Sequence, residues 1–391
     1  MNRLEPLTGL RGIAAYSVLI AHTIAAAFSY DGSILQPFAH RLAYFGMSLF
    51  FVLSGFVIYY NYAESFAREP LGRATWKFFV ARFARLYPLY AISIIVALPY
   101  LPAEGLSDDL GVVLAYLTLT QAWFNVEMAV FPPDWSISAE WFFYLAFIPL
   151  GAAVRKVARP LLVLVVYSAL AVLAVLLLFH WFAAPLTEMG KQWLYVNARV
   201  SSDPWGWLIY FSPPLRLLEF IAGMFSARTL MNFGASGTAP RYTSAILAGA
   251  LLWCVAVVFV RPLTSEPPMS FILSNVIFAP ALALLILHVC FSDGWLSKML
   301  SSRALQFMGD ISFSVYVWSF FVMDRIIAPE FRLKAWSVEA AANAMGRIAI
   351  VIGLTTVFAY GSYLLIEMPA RRWIRAALTR REPGLGVLAE R

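Results

Sequence analysis

Ten apolar runs, each long enough to cross a lipid bilayer, constrain this chain more than any other feature. A hydrocarbon core about 30 Å thick needs roughly 17–25 apolar residues of helix to span it. Runs of this kind cover 9–28, 42–62, 78–98, 136–153, 159–182, 207–227, 243–260, 271–291, 308–327 and 347–367. Because lipid offers no hydrogen bonds to the backbone, we expect an all-α integral membrane protein with about ten transmembrane helices in a single bundle.

Composition agrees with a membrane protein and excludes other classes. Hydrophobic residues make up 61% of the 391 residues and charged residues only 13%, against about 25% charged in soluble domains. The net charge of +7 comes from basic residues between apolar runs, which favour cytoplasmic loops, so we expect no nucleic-acid partner. Four scattered histidines lack ligand spacing, and we expect no metal. Cys254 and Cys290 lie within apolar runs and indicate structural thiols.

A shorter apolar segment, 110–123, decides the sidedness of everything after it. If it crosses the membrane, the basic loop 155–159 and the basic carboxyl-terminal segment lie outside. If it is re-entrant or interfacial, both return to the cytoplasm, as the positive-inside rule favours. We therefore predict a multi-pass protein of the inner (plasma) membrane with both termini cytoplasmic. Residues 1–375 would form the membrane domain and 376–391 a short cytoplasmic tail.

The first apolar run carries two ionisable residues that a simple anchor does not need. Arg11 and His22 are eleven residues apart, which places them on one helix face and about 16 Å apart along the axis. Such groups are expensive in hydrocarbon and usually functional. The alternative is a signal peptide cleaved near "IAAAFS", but cleavage would discard this pair.

Two further motifs have both a functional and a structural interpretation. Ser54 and Gly55 in "FFVLSGFVIYY" would line a site or form a small-residue packing notch between helices. Arg82 and Arg85 lie three residues apart on one face at the start of the third run. They would grip an anionic cytosolic ligand such as a nucleotide phosphate, or bind lipid phosphates at the interface.

A carboxylate enters the membrane from the other side. Glu140 in "DWSISAEWFFYL" would lie about 8 Å deep if its helix starts at the outer surface. His22 would then meet it at similar depth, and a histidine with a carboxylate is the minimum for general-base chemistry. A buried structural His–Glu pair is the alternative. Arg216 and Glu219, three residues apart, indicate a structural ion pair.

Six motifs occur in an order and spacing that resemble the membrane acyltransferase-3 family. They are R-x10-H in the first run, "LSGF" in the second, R-x-x-R at the start of the third, "WSISAE", "FMGDISFSVYVW" and "IEMPARRW". The resemblance runs from about residue 3 to residue 373. It implies an integral membrane O-acyltransferase that moves an acyl group, usually acetyl, from cytosolic acyl-CoA to a hydroxyl of a sugar, glycan or lipid-linked acceptor. It implies no cofactor besides this donor, and membrane lipids as surroundings.

The resemblance also assigns roles to residues. The catalytic residues would be His22, Arg11 and Glu140, and the substrate-binding residues Arg82, Arg85, Ser54, Gly55 and Trp135. Two positions depart from the family pattern, with Thr8 where Asp is common and Ser319 where a second histidine is common. A secondary transporter or a non-catalytic lipid- or glycan-binding membrane protein is the alternative, although inverted repeats typical of transporters are not visible.

Overall fold

The computed structural model describes residues 4–28, 35–97, 110–124, 132–193, 207–236, 243–259, 277–327 and 337–379. The described residues form fourteen α-helices and two short π-helical segments, Trp207–Phe211 and Tyr363–Glu367, and they contain no β-strand. The helices are α1 Glu5–Ala27, α2 Leu35–Arg68, α3 Leu71–Ala97, α4 Leu110–Leu117, α5 Trp135–Arg155, α6 Pro160–Trp193, α7 Pro213–Ser236, α8 Thr243–Phe259, α9 Phe278–Phe291, α10 Trp295–Leu300, α11 Arg303–Asp310, α12 Ser312–Ile326, α13 Val338–Ser362 and α14 Met368–Thr379. The predicted all-α class is confirmed.

The described residues contain fewer helices that meet the length and composition of a membrane span than the ten apolar runs of the sequence. Among the described residues, five helical stretches are long and apolar enough to cross a membrane: α1, α2, α3, α5 and the stretch Val338–Leu378. Counting α11 and α12, which meet at a bend of 68°, as one broken span gives six. Each of the ten apolar runs contains a helix, but the count of ten spans is not confirmed. Residues 194–206, between α6 and α7, and the part of the predicted tail beyond residue 379 fall outside the described residues.

Helices α1, α2 and α7 form the centre of the bundle, where two glycines allow backbones to touch. A Cβ on Gly55 of α2 would lie 1.9 Å from the carbonyl oxygen of Phe220 in α7. A Cβ on Gly223 of α7 would lie 2.0 Å from the carbonyl oxygen of Val52. Lipid provides no hydrophobic driving force for helix association, so membrane helices associate through close packing, which small residues allow. Gly55 therefore packs against α7, and its expected place in the substrate site is not what the structure shows.

The segment 110–123 does not form a spanning helix. The eight residues of α4 cover about 12 Å, less than half of a core about 30 Å thick. Leu119 then takes a positive φ of 59° and ends the helix. Side chains from elsewhere satisfy the backbone that follows, since Ser138 Oγ donates to the Leu119 carbonyl at 2.7 Å and Trp207 Nε1 to the Ala122 carbonyl at 2.8 Å. Irregular backbone of this kind is tolerated at membrane depth when protein surrounds it.

An ion pair closes the tight turn between α2 and α3. Lys77 Nζ lies 2.7 Å from Glu69 Oε2, and Ser65 Oγ donates to Glu69 Oε1 at 2.7 Å. These two hydrogen bonds lower the pKa of Glu69. The turn therefore stays closed while Glu69 is ionised, and it fixes where the arginines of α3 lie relative to α2.

Candidate active site

A chamber of about 1080 Å³ opens at the end of the bundle where α1 begins and α2 ends. Five helices and the bend between α11 and α12 surround it, and its lining combines apolar side chains with an unusual number of ionisable and hydroxyl groups. The polar side chains that line it include Arg11, Ser54, Arg82, Arg85, Glu140, Asp310, Ser312, Tyr316, Arg371 and Arg375. The sequence predicted Arg11, Ser54, Arg82, Arg85 and Glu140 as site residues, and the structure brings these five together.

Glu140 accepts two hydrogen bonds at the wall of the chamber. Ser54 Oγ of α2 donates to Oε1 at 3.0 Å, and the Tyr144 hydroxyl, one turn further along α5, donates to the same oxygen at 2.7 Å. Hydrogen bonds to an ionised carboxylate are stronger than neutral ones. The pair of donors holds the carboxylate in one position at the wall of the chamber.

Arg82 lies deep in the protein, with only 6% of its surface exposed. Its Nη2 donates to the Tyr62 hydroxyl at 2.9 Å, and its guanidinium lies 5.1 Å from the centre of the Tyr62 ring. Glu140 attracts the same guanidinium. Nε is buried and has no hydrogen-bond partner among the described residues. Arg82 is therefore held in place at the wall of the chamber by Tyr62 and by the charge of Glu140.

Arg11 enters the chamber from α1. Its Nη2 donates to Ser312 Oγ at 3.1 Å, at the start of α12. Glu140 and Glu367 attract the guanidinium, whereas Arg85 and Arg371 repel it. The arginine therefore sits within a cluster of charges drawn from four helices.

Sequence reasoning missed two arginines of α14, Arg371 and Arg375, which line the same chamber. Arg371 Nη1 lies 3.5 Å from Oε1 of Glu367, one turn earlier, and Ser314 Oγ donates to Oε2 of that carboxylate at 3.0 Å. The spacing of 367, 371 and 375 places all three on one helix face. This spacing is visible in "EMPARRWIR" and was the signal that could have found them.

His22 lies far from this cluster. Helices α1 and α2 run antiparallel, and a Cβ on Gly46 would lie 2.8 Å from the Ala14 carbonyl oxygen and 2.7 Å from Val18 Cγ2. Gly46 of α2 therefore lies beside the middle of the stretch from Ala14 to Val18 in α1. His22 is about six residues further along α1, so it lies level with residue 40 of the antiparallel α2. At about 1.5 Å per residue, this level is about 21 Å along the axis from Ser54. His22 and His40 interact electrostatically. The expected meeting of His22 with Glu140 is therefore not found.

The depth at which α5 starts explains why Glu140 lies at the chamber and not beside His22. The sequence interpretation placed the start of this helix at the outer surface. In the structure its first residue, Trp135, packs edge-on against Phe51 of α2 at a centroid distance of 5.9 Å. Phe51 is five residues from Gly46 in the direction of Ser54, so α5 begins well inside the bundle. One and a half turns further on, Glu140 reaches Ser54 and the chamber.

Trp135 does not line the chamber but stands behind Phe51. Its ring lies 5.1 Å from that of Tyr210 and 5.4 Å from the guanidinium of Arg216. Arg216 Nη1 pairs with Glu219 Oε2 at 3.1 Å, with both side chains 1% exposed, and Glu219 also accepts a hydrogen bond from Ser48. The predicted structural ion pair is confirmed. Its arginine packs against the rings of Phe51, Trp135 and Tyr210, which together form an aromatic wall next to the chamber.

Ser319 stands where the family pattern has a second histidine. It is buried, and its hydroxyl donates to the Tyr316 carbonyl of its own helix at 2.8 Å. The Tyr316 hydroxyl in turn donates to the Pro133 carbonyl at 2.7 Å. Ser319 therefore supports the backbone of α12, and the tyrosine that lines the chamber is held by the turn before α5.

Comparison with known proteins places these features in a family context. The sequence model of a family described as an acyltransferase domain matches residues 5–367. Acyltransferase MdmB of Streptomyces mycarofaciens is 30% identical over 381 residues, which are 90% of this chain and 89% of that protein. Peptidoglycan O-acetyltransferase OatA of Listeria monocytogenes is 23% identical over 94% of this chain. A putative O-acetyltransferase of Staphylococcus aureus is 21% identical over 95% of it.

The matched region is only part of the last two relatives. The alignments cover 55% of the Listeria protein and 58% of the Staphylococcus protein, so this chain spans little more than half of their length. No solved structure matches this chain.

Proposed function

Since the chain belongs to the acyltransferase domain family, we propose that it is a membrane O-acyltransferase whose donor is a cytosolic acyl-CoA, most simply acetyl-CoA. One observation carries the proposal: arginines from three helices converge on a chamber of about 1080 Å³ that opens at one end of the bundle. Phosphate groups are the ligands that guanidinium forks bind best. The Arg82 and Arg85 pair would bind the donor phosphates, and the acyl-pantetheine arm would extend inward past Arg11.

His22 would act as the general base of the transfer. As neutral imidazole it would take the proton of the acceptor hydroxyl while the oxygen attacks the thioester carbonyl. The carbon–sulfur bond then breaks, and the CoA thiolate leaves and takes the proton from the imidazolium. The products are an O-acyl ester and free CoA thiol. Arg11 would hold the donor in the chamber without handling this proton.

Glu140 would orient the residues that bind the donor, and it would not orient the imidazole of His22. It holds its place through Ser54 and Tyr144 and attracts Arg82. The carboxylate therefore keeps the phosphate-binding arginine in place when no donor is bound. This assignment replaces the general-base pair with His22 that the sequence suggested.

The acceptor would be a hydroxyl of a glycan or a related surface molecule at the outer side of the membrane. The name of the Listeria relative, a peptidoglycan O-acetyltransferase, supports an acceptor of this class. His22 also lies towards the end of the bundle opposite to the chamber mouth, where such an acceptor would approach.

A binding and transfer assay tests the proposal. Protein purified in nanodiscs should bind acetyl-CoA and release CoA thiol slowly by hydrolysis, and faster when an acceptor glycan is present. Acetylation of surface glycans should also fall when the gene is deleted. A transporter would bind a ligand without breaking the thioester, so binding without any thiol release would contradict the proposal.

Sidedness has its own test. We propose that both termini and the loop around residue 157 face the cytoplasm, and that residue 190 lies towards the outside. Single cysteines at positions 157, 190 and 385, in a background without Cys254 and Cys290, are treated with an impermeant thiol reagent on intact cells. Labelling at 190 alone is expected. Labelling at 157 and 385 with 190 protected would reverse the arrangement.

A further inference from the structure

The chamber holds more positive charge than its acidic residues balance. Arginines 11, 82, 85, 371 and 375 line it, whereas Glu5, Glu140 and Asp310 are the carboxylates among its lining residues. Glu367, which pairs with Arg371, adds a fourth carboxylate next to the five arginines. Asp310 is exposed and so is Glu5. Their charges are screened by water much better than those of Arg82, which is 6% exposed.

Four of these arginines act on one another. The guanidinium of Arg371 is repelled by those of Arg85 and Arg375, and that of Arg11 by those of Arg85 and Arg371. Like charges at short range in a partly buried site raise the free energy of the folded protein. An anion with several charges would remove this penalty by binding among them.

Helix α14 faces α3 across this charge cluster, and the two helices pack together. Arg371 and Arg375 are separated by one turn and therefore present two guanidinium groups in a row. Glu367 holds the first of them at 3.5 Å, and Ser314 fixes the carboxylate of Glu367 in turn. Arg371 is thus linked to α12, and both arginines of the row line the same chamber as Arg82 and Arg85.

We infer that Arg371 and Arg375 form a second phosphate-binding arm for the donor. The inference rests on the proposed function and narrows it. Two pairs of arginines can both bind the donor only if the donor carries phosphate groups at more than one position. A coenzyme A thioester does so, with its diphosphate and its ribose phosphate. An acyl phosphate or a phosphopantetheine on a carrier protein, with one phosphate each, would leave one arm unused.

The chain offers a matched control for the experiment. Arg372 is on the same helix, is exposed and does not line the chamber. We compare Arg371→Gln, Arg375→Gln and Arg372→Gln with the unmodified protein in nanodiscs of neutral lipid. The ligands are acetyl-CoA and S-acetylpantetheine, which lacks all the phosphates. Arg371→Lys and Arg375→Lys keep the charge and show whether a loss comes from misfolding.

Arg371→Gln and Arg375→Gln should each weaken acetyl-CoA binding about 10-fold or more, the range expected for a charge-assisted hydrogen bond. The lysine variants should lose less, and Arg372→Gln should match the unmodified protein. The affinity for S-acetylpantetheine should be the same in all six proteins. Equal acetyl-CoA affinity in the Arg371, Arg375 and Arg372 variants would overturn the second arm.

The same phosphate chemistry could come from a lipid headgroup. The measurement is repeated in nanodiscs containing anionic lipid, and a cluster that binds lipid phosphate would keep its acetyl-CoA affinity when Arg371 or Arg375 is changed, which also overturns the inference. If the unmodified protein does not bind acetyl-CoA, the proposed donor and the second arm fail together. If it binds and the variants bind equally well, only the second arm fails.

Discussion

The bundle has a chamber half, where α1 begins and α2 ends, and a half around His22, where α1 ends and α2 begins. The two halves differ in how their ionisable side chains are held. Around the chamber, Glu140, Arg82 and Arg11 each have a hydrogen-bond partner on another helix: Ser54, Tyr62 and Ser312. His22 interacts with His40, but its side chain makes no hydrogen bond to any residue that the structure describes. Satisfied polar networks are rigid and specific. The ionisable groups around the chamber are therefore held by neighbouring helices, whereas no hydrogen bond within the described residues holds the imidazole of His22.

The contrast suggests a division of labour. The rigid half would set how tightly the donor binds, and the half around His22 would set how fast the acyl group moves. Ser54 at the chamber and the level of His22 are about 21 Å apart along the axis. Substitutions in one half should therefore change affinity with little effect on the chemical step, and substitutions in the other half should do the reverse.

The largest effect is expected for His22→Ala. Loss of a general base typically slows a reaction by 10²–10⁴-fold, and the proposed role predicts a fall of that size in transfer with acetyl-CoA affinity unchanged. His180→Ala is the control, because His180 is exposed on α6. A transfer rate of the His22 variant within a few-fold of that of the unmodified protein would show that the histidine takes no part in the mechanism. It would also contradict the proposed division between donor binding and the chemical step.

The second prediction concerns the boundary between the halves, where Arg216 and Glu219 are both 1% exposed. Removing one member of a buried pair typically costs about 3–5 kcal/mol, because the other charge stays buried without compensation. Arg216→Ala should lower the free energy of unfolding in detergent by this amount. Changing both residues to Met should cost less than the single change.

Arg155→Ala, on the exposed end of α5, is the control for that measurement and should leave stability nearly unchanged. A loss below about 1 kcal/mol for Arg216→Ala, the range of exposed ion pairs, would show that the pair does not hold the wall between the halves.

Arg82→Ala and Arg85→Ala come third. Each should weaken acetyl-CoA binding about 10-fold, since a charge-assisted hydrogen bond to phosphate is lost. The difference should shrink at high salt, because salt screens the attraction of unmodified protein for the phosphates. Lysine should rescue only in part, because a point charge does not reproduce the fork.

Binding titrations at low and high salt check this prediction, with Arg73→Ala as the control because Arg73 is exposed on the same helix and does not line the chamber. Unchanged affinity in the Arg82 and Arg85 variants would mean that these arginines anchor the protein to lipid, as the structural interpretation of the sequence allowed.

Much of the chamber half could be predicted from the sequence. Helical periodicity placed Arg82 and Arg85 on one face, and the cost of polar groups in lipid singled out Arg11, Ser54 and Glu140. All five line the chamber. Local arguments succeed here because each residue is polar within an apolar helix, and such residues turn inward together.

The remaining features depend on contacts between distant parts of the chain. The depth of Glu140 follows from the contact of Trp135 with Phe51, and periodicity within one helix carries no information about where that helix starts. Gly55 was ambiguous for the same reason, since only the approach of Phe220 shows that it serves packing. Arg371 and Arg375 were overlooked because arginines near a chain end usually indicate a solvated or interfacial segment.

The smallest effect is expected for Ser54→Ala, and it is the sharpest test of the comparison. Glu140 would lose one hydrogen bond and keep the one from Tyr144, so the net cost is about 0.5–1.5 kcal/mol. We expect kcat/KM for acetyl-CoA to fall roughly 2- to 10-fold, mainly through KM. Tyr144→Phe alone should act similarly, and both changes together should cost more than their sum, because the carboxylate then has no donor left.

Steady-state kinetics of the two single variants and the double variant give the coupling directly. If the chamber half only positions the donor, kcat should stay nearly constant across the three, in contrast to His22→Ala. A fall in kcat for Ser54→Ala as large as that for the histidine variant would contradict the division. It would place the serine hydroxyl among the reacting groups, and the chemistry would then occur beside Glu140, inside the chamber itself.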